Sequence, residues 1–371
     1  SQLLIGKTLN EIKQPKYIDM EGKQPILGYN MVDINYMAKW LADRIIEIDR
    51  IMEGKLPSIA ILVNSEEEIQ PLANAMNDCL EDNNINAMPQ AGLEQADLVY
   101  EMIVEGGETR LMAVIKNKDI SKIGPLRSVR HYYLDYMLEN DAICVHYGQS
   151  PQAKADITKL KVDDINGIYE SATDFWRDSS RYAPHNAVTS TAKLTKLIEN
   201  KEFRTTTSKK TVLNYVVDEV NLPDEREEPA EGETEGKITN LANTVTIPYS
   251  AYNTVRYEYD EESKEYVRYS RDKKQTDWNT KNTVKTKNII ITKCKNTTLD
   301  DGSGKGRQTL DNVKTLDGYY ITNGKYIPIK CYKTSRSSQT VYKDLEGNEI
   351  KVNDGKTFIQ ICPINSKISF E

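Results

Sequence analysis

The sequence predicts an α+β protein. An N-terminal part that mixes helices and strands, α/β or α+β, is followed by a β-rich C-terminal domain. Two observations carry this. Up to about residue 200, helical periodicities alternate with short apolar runs, and beyond it strand patterns stand alone. A third observation marks the change: Pro223–Gly236 (PDEREEPAEGETEG) holds no apolar residue beyond one Ala, as expected of a solvated loop or linker.

The elements follow in order. Residues 1–55 form an extension whose long amphipathic helix starts at Asn30, with Ile34, Met37, Leu41, Ile45, Ile48 and Met52 at three- and four-residue steps and Gly54 as the stop. Residues 56–205 form the N-terminal α/β domain. Ser58–Val63 reads as a buried strand, and Pro71 opens a helix through Leu80. Leu98–Val104 and Arg110–Ile115 read as a hairpin turning at Gly106-Gly107. The Gly124-Pro125 break precedes a helix of about Ser128 to Leu138. Ala142–His146 reads as a strand, and Ser150-Pro151 as a cap and first turn. A loop-rich stretch over 161–190 leads to a helix from Thr191 to Glu199.

Residues 206–371 form the β-rich domain, containing the acidic loop 223–236. Strands are expected at Thr211–Val217, Val245–Pro248, Asn253–Tyr259, Tyr266–Tyr269, Asn288–Thr292, Tyr319–Thr322, Tyr326–Lys330, Thr340–Tyr342 and Thr357–Ile361. Asn323-Gly324 is a two-residue hairpin turn.

Composition narrows the function. With 49 Lys and Arg against 56 Asp and Glu, the net charge is −7, the wrong sign for holding a phosphate backbone, so no nucleic-acid partner is expected. Five scattered cysteines without a C-x-x-C pair suggest packed thiols and neither a disulfide framework nor a zinc knuckle. No apolar run approaches the roughly 18 residues of a membrane-spanning helix. No secretory signal is read either, but the chain opens on Ser1 and not Met, so this carries little weight about location.

The segments LPSIAILVN, PQAGLEQADLVYEMIVEGGETRLMAVI, IGPLRSVRHYYLDYMLENDAICVHYGQSPQA and RYAPHN resemble the YerB-like family of bacterial lipoproteins. GYYITNGKYIPIK and YKDLEGNEIKVNDGKTFIQICP resemble that family's C-terminal domain. The resemblance spans most of residues 56–363. It implies two adjoining domains of layered sheet-and-helix type, the N-terminal one β-β-α sandwich-like, and export with a lipid anchor to the extracytoplasmic face of the bacterial membrane. It implies no activity. No Cys precedes Cys79, so the lipid-bearing cysteine that the resemblance implies is absent from this sequence, as expected of a trimmed form, and residues 65–88 read as an insertion.

Candidate site residues cluster in the same stretch. Arg127 and Arg130, three apart in the first turn of the helix after Gly124-Pro125, would form an anion site with the helix N-terminus. The alternative is that they pair with Glu101, Glu105 or Asp135. Arg110 belongs to the same set. His146 ends an apolar strand, at the edge where open α/β sheets bind ligands, and Ser150 beside it is a further candidate, as a ligand contact or nucleophile, although G-Q-S-P lacks the second glycine of a nucleophile elbow and a helix cap explains it. Arg181, His185 and Asn186 sit on a loop held by Pro184, either as function or as loop ties. His146 and His185 lack the spacing of a metal site, and no cofactor is expected.

The leading expectation is an exported envelope protein binding a polar or anionic ligand, such as one derived from the cell wall, or an envelope protein partner. The alternative is a hydrolase or transferase with His146 or His185 as general base, and with Arg127 and Arg130 stabilising negative charge.

Overall fold

The computed structural model describes Leu41 and residues 87–229 and 235–371. The expected helix from Asn30, the strand Ser58–Val63 and the helix from Pro71 lie outside the described residues. The chain divides into two units, 1–83 with 300–305 and 84–299 with 306–371. The second carries both large sheets.

Strands β1 (Leu98–Ile103) and β2 (Thr109–Val114) form the expected hairpin. Helix α1 (Tyr133–Glu139), β3 (Cys144–His146), α2 (Pro151–Leu160), β4 (Asp164–Asn166) and α3 (Thr191–Asn200) complete the helical half. Then come β5 (Thr244–Ser250), β6 (Asn253–Asp260), β7 (Glu265–Ser270), β8 (Asn288–Cys294), β9 (Thr315–Thr322), β10 (Lys325–Tyr332), β11 (Val341–Lys343), β12 (Thr357–Pro363) and β13 (Ser369–Phe370). The class is α+β and rich in sheet.

Among the described residues the main sheet has seven strands in the order β11-β10-β9-β8-β12-β1-β2. Its two strands from before residue 205 continue directly onto five from after it. β12 lies parallel to both β8 and β1, and the burial of all but its last residue explains its near-unbroken apolar run, TFIQICP. A second, six-stranded sheet contains β7-β6-β5-β13 with two short flanking strands. Two of its strands alternate strictly: in β5 and β7 every second residue is buried, as one covered face demands. The two sheets pack through Tyr257 edge-on to Phe358, centroids 6.0 Å apart. The tyrosine richness is explained here, because Tyr100, Tyr249, Tyr257, Tyr266 and Tyr320 are all buried with their hydroxyls hydrogen-bonded.

Local chemistry accounts for most boundaries. Ser150 Oγ accepts from the Ala153 amide at 3.1 Å, with Pro151 at the first helical position. Ser190 caps α3 likewise. We expect Ser150→Ala to cost about 1 kcal/mol of unfolding free energy, measured by urea denaturation. Asn323 and Gly324, at φ 48° and 74°, make the left-handed pair a two-residue hairpin needs, and β9 and β10 pair through it from Thr322–Lys325 outward.

Two elements depart from expectation. The helix expected from Ser128 starts only at Tyr133. The residues ahead of it pair instead with the stretch after β3: Tyr147 N–H donates to Arg127 O, Val129 N–H to Gly148 O, and Ser150 N–H to Val129 O. These ladder bonds use the backbone groups an extra helical turn would need. Arg127 and Arg130 therefore lie in a segment ahead of the helix and not, as expected, in its first turn, so no helix N-terminus joins them in an anion site. The strand expected over Thr211–Val217 shrinks to Tyr215–Val216, paired with Val352–Asn353. The acidic stretch is also less free than its composition implies. Glu227 N–H donates to Lys237 O, and Arg226 reaches Asp224, Glu235 and the Gly236 carbonyl.

Candidate functional site

A groove of about 890 Å³ runs along β2, and Glu101, Arg110, Arg127 and His146 all line it. Each is placed by a nearby element. Glu101 sits in β1, opposite Leu111 of β2. Arg110 lies at the start of β2 and donates from Nη1 to the Ser128 carbonyl at 2.5 Å. Arg127 donates to the Pro184 carbonyl at 3.2 Å, which ties the groove rim to the loop carrying His185.

Arg130 is the expected guanidinium fork, but its anion is internal. Nε meets Glu105 Oε1 at 2.6 Å, and Nη2 meets Oε2 at 2.8 Å. Arg110 stands 3.8 Å from the same carboxylate. Burial alone pushes the Glu105 carboxyl up; the hydrogen bonds and charge of Arg130, with the charge of Arg110, outweigh it and hold the group below its ordinary value. The alternative pairing recognised in the sequence is the one found for this arginine. Asp135 is taken instead by Arg336 at 2.6 Å, and Glu101 by Arg268 at 2.6 Å.

His146 is buried, with Nδ1 2.7 Å from Gly148 O and Nε2 3.2 Å from Asp164 Oδ2. A neutral ring donates to one of these and a protonated ring to both. Either way the two nitrogens face protein acceptors, the arrangement of a histidine that closes a strand. Ser150 is spent on its cap. Arg181 donates to the carbonyls of Ala87 and Pro89 and stacks 3.6 Å above Trp278. Asn186 accepts from Arg177 and donates to the carbonyls of Asp178 and Arg181, and the His185 amide donates to Tyr182 O. Ser150, Arg181, His185 and Asn186 are not among the groove residues. Among the described residues no group of three His, Cys, Asp or Glu could hold a metal ion. The described cysteines Cys144, Cys294, Cys331 and Cys362 are free and buried, and burial pushes each thiol up to about 12.

Sequence reasoning missed the second half of the charge network. Arg268 pairs with Glu101, Arg271 with Glu108, and Lys333 with Glu139. A signal existed for Arg268: in EYVRYS it falls in register with Tyr266 and Ser270, on the face that the period-2 pattern sends inward.

The three buried glutamates of the hairpin and its turn, Glu101, Glu105 and Glu108, thus bind arginines drawn from both halves of the chain. The protein they define is an α+β body whose N-terminal hairpin completes a sheet otherwise built from the C-terminal half. Residues 65–204 match the N-terminal domain, and residues 245–359 the C-terminal domain, of the family described as "Protein of unknown function (DUF3048)". The chain belongs to this family. It is 29% identical over 304 residues to "Putative lipoprotein YerB" of Bacillus subtilis (strain 168), covering 80% of this chain and 82% of that one. The crystal structure of the YerB protein from Bacillus subtilis is similar, with TM-score 0.62 and 27% identity over 78% of this chain and 91% of that chain.

Proposed function

We propose that the chain is an exported, lipid-anchored protein of the bacterial cell envelope that binds a polar or anionic ligand in the groove along β2. The relative named as a lipoprotein supports the location. In this reading residues 56–205, layered sheet and helix, and residues 206–371 are the family's two domains. The carrying observation is the lining itself: Arg110, Arg127 and His146 beside the apolar Leu111, Met112 and Val114, a few polar groups on apolar walls, as ligand sites are built.

Catalysis by His146 has less support, because both ring nitrogens already face Gly148 O and Asp164 and Arg130 is committed to Glu105. The test is titration of soluble muropeptide fragments into the full chain and into Arg127→Ala, by calorimetry. Saturable binding that weakens about tenfold in the variant is expected, the size of one charge-assisted hydrogen bond. Equal binding by both, or none by either, would overturn the reading.

A further inference from the structure

Two turns and a connecting segment meet where β8 begins. Lys287 stands directly ahead of β8, Asn323 lies in the turn between β9 and β10, and Lys264 in the turn between β6 and β7. Glu219 comes from the connection that leads to β5. Lys287 Nζ donates to Asn323 Oδ1 at 2.7 Å and to the Lys264 carbonyl at 3.1 Å. Both acceptors are neutral oxygens. The Asn323 amide nitrogen donates to Glu219 Oε1 at 3.2 Å, Val220 O at 3.2 Å and Asn221 Oδ1 at 3.1 Å. Glu219 Oε1 also accepts from Lys264 Nζ at 2.8 Å.

A lysine amine, an asparagine amide and a carboxylate on the amide nitrogen are the parts of an amide exchange. Because a C=O bond is about 1.2 Å long, Nζ stands no more than about 4 Å from Asn323 Cγ. A small rotation of the lysine end group brings it to the roughly 3–3.5 Å of a near-attack pair. The nucleophile must be the neutral amine. Burial acts most strongly on the Lys287 ammonium, and with the charge of Lys264 it outweighs Glu219 and holds the group below its ordinary value. A rival attack on the same carbon, by the Gly324 backbone nitrogen, would deamidate Asn323. That N–H is engaged, donating to the Tyr266 hydroxyl at 3.0 Å.

We propose that Lys287 and Asn323 join in an intramolecular isopeptide bond, with Glu219 carrying the proton between the two nitrogens. The Nζ lone pair attacks Asn323 Cγ, the Nζ–Cγ bond forms, and the Cγ–Nδ2 bond breaks. Of the two protons of the neutral amine, one stays on the new amide. The other passes through the Glu219 carboxylate to Nδ2, which leaves as ammonia. An amine and a primary amide thus become a secondary amide and ammonia, with no oxidant or co-reactant. The bond ties the entry of β8 to the β9–β10 turn across a sequence separation of 36 residues. Like a disulfide, it restricts the unfolded chain, in a protein whose described cysteines are free and buried. It is independent of any ligand in the groove along β2.

The full chain, folded and kept at mildly alkaline pH, is weighed intact by mass spectrometry and then digested with trypsin. The expected product is lighter than the sequence by one ammonia and yields a branched peptide joining Lys287 to Asn323, uncut after Lys287 because an acylated lysine is no trypsin site. Lys287→Arg should keep the full sequence mass. Glu219→Gln should slow the loss of ammonia at least about tenfold, as removing a positioned proton carrier does. A folded wild type that stays at the full sequence mass would overturn the proposal. So would conversion of Asn323 to aspartate, which marks attack by Gly324. Loss of ammonia that persists in Lys287→Arg would overturn it too, since that is a succinimide and not a staple. Equal rates in the wild type and Glu219→Gln would remove the carboxylate-assisted route proposed.

Discussion

Replacing Arg268 by Leu is expected to destabilise the protein by about 3–5 kcal/mol, the cost of stranding a buried partner charge. Glu101 is 1% exposed, and its second oxygen accepts from the Thr109 hydroxyl at 2.7 Å. Arg268 is the cation paired with this carboxylate among the described residues, and its removal would leave the buried charge without that partner. The double variant Glu101→Gln/Arg268→Leu should recover a large part of the loss, since a neutral amide can keep the Thr109 contact. Urea unfolding of the wild type, both singles and the double forms the cycle. If the double is no better than Arg268→Leu, the destabilisation comes from lost packing of the guanidinium stem and not from the stranded charge.

The second large effect is at Arg130. Arg130→Ala removes both forks from Glu105 and leaves Arg110, 3.8 Å away, as the nearest cation. A loss of about 3–5 kcal/mol near neutral pH is expected on the same ground. The pH dependence gives it a signature. In the wild type the Glu105 carboxyl is depressed in the folded state. Its contribution is therefore fully present above the unfolded value near 4.5 and is lost as pH falls through the folded one. In Arg130→Ala, burial acts with little opposition and raises the folded value. The folded variant then prefers the protonated acid, and its deficit is largest at neutral pH. The gap between the two proteins should narrow as pH falls from about 7 towards about 4, the range over which a carboxyl raised by burial takes up its proton, followed as Tm by circular dichroism. A gap independent of pH would mean that the Glu105–Arg130 pair is not its source.

These two pairs also show where sequence reading reaches its limit. Arg130 is visible in the sequence as a candidate, and Glu105 as its alternative partner, because both lie in one short stretch. What the sequence misplaces is the helix start, which spacing puts at Ser128 and the structure at Tyr133. The apolar spacing over 128–138 is compatible with a helix, and nothing local reports that Val129 and Arg127 bond to the chain beyond β3. Arg268 shows the opposite case: its inward register is legible, but its partner lies 167 residues away. Pairing over that distance is set by which strands meet, not by spacing.

Local rules determined a great deal of this protein. Capping chemistry at Ser150 and Ser190, the left-handed pair Asn323-Gly324 and the period-2 strands β5 to β7 follow from side-chain size, backbone freedom and one-sided burial, all readable from adjacent residues. The long motifs likewise carry the family. Tertiary structure alone decided that β12 enters between β8 and β1, that the N-terminal hairpin thereby joins the C-terminal sheet, and that among the described residues β2 stands last in it. The reason is physical. A strand's own sequence encodes which face is buried, but its neighbour is chosen by the whole set of competing edges, and the groove along β2 exists because of that choice.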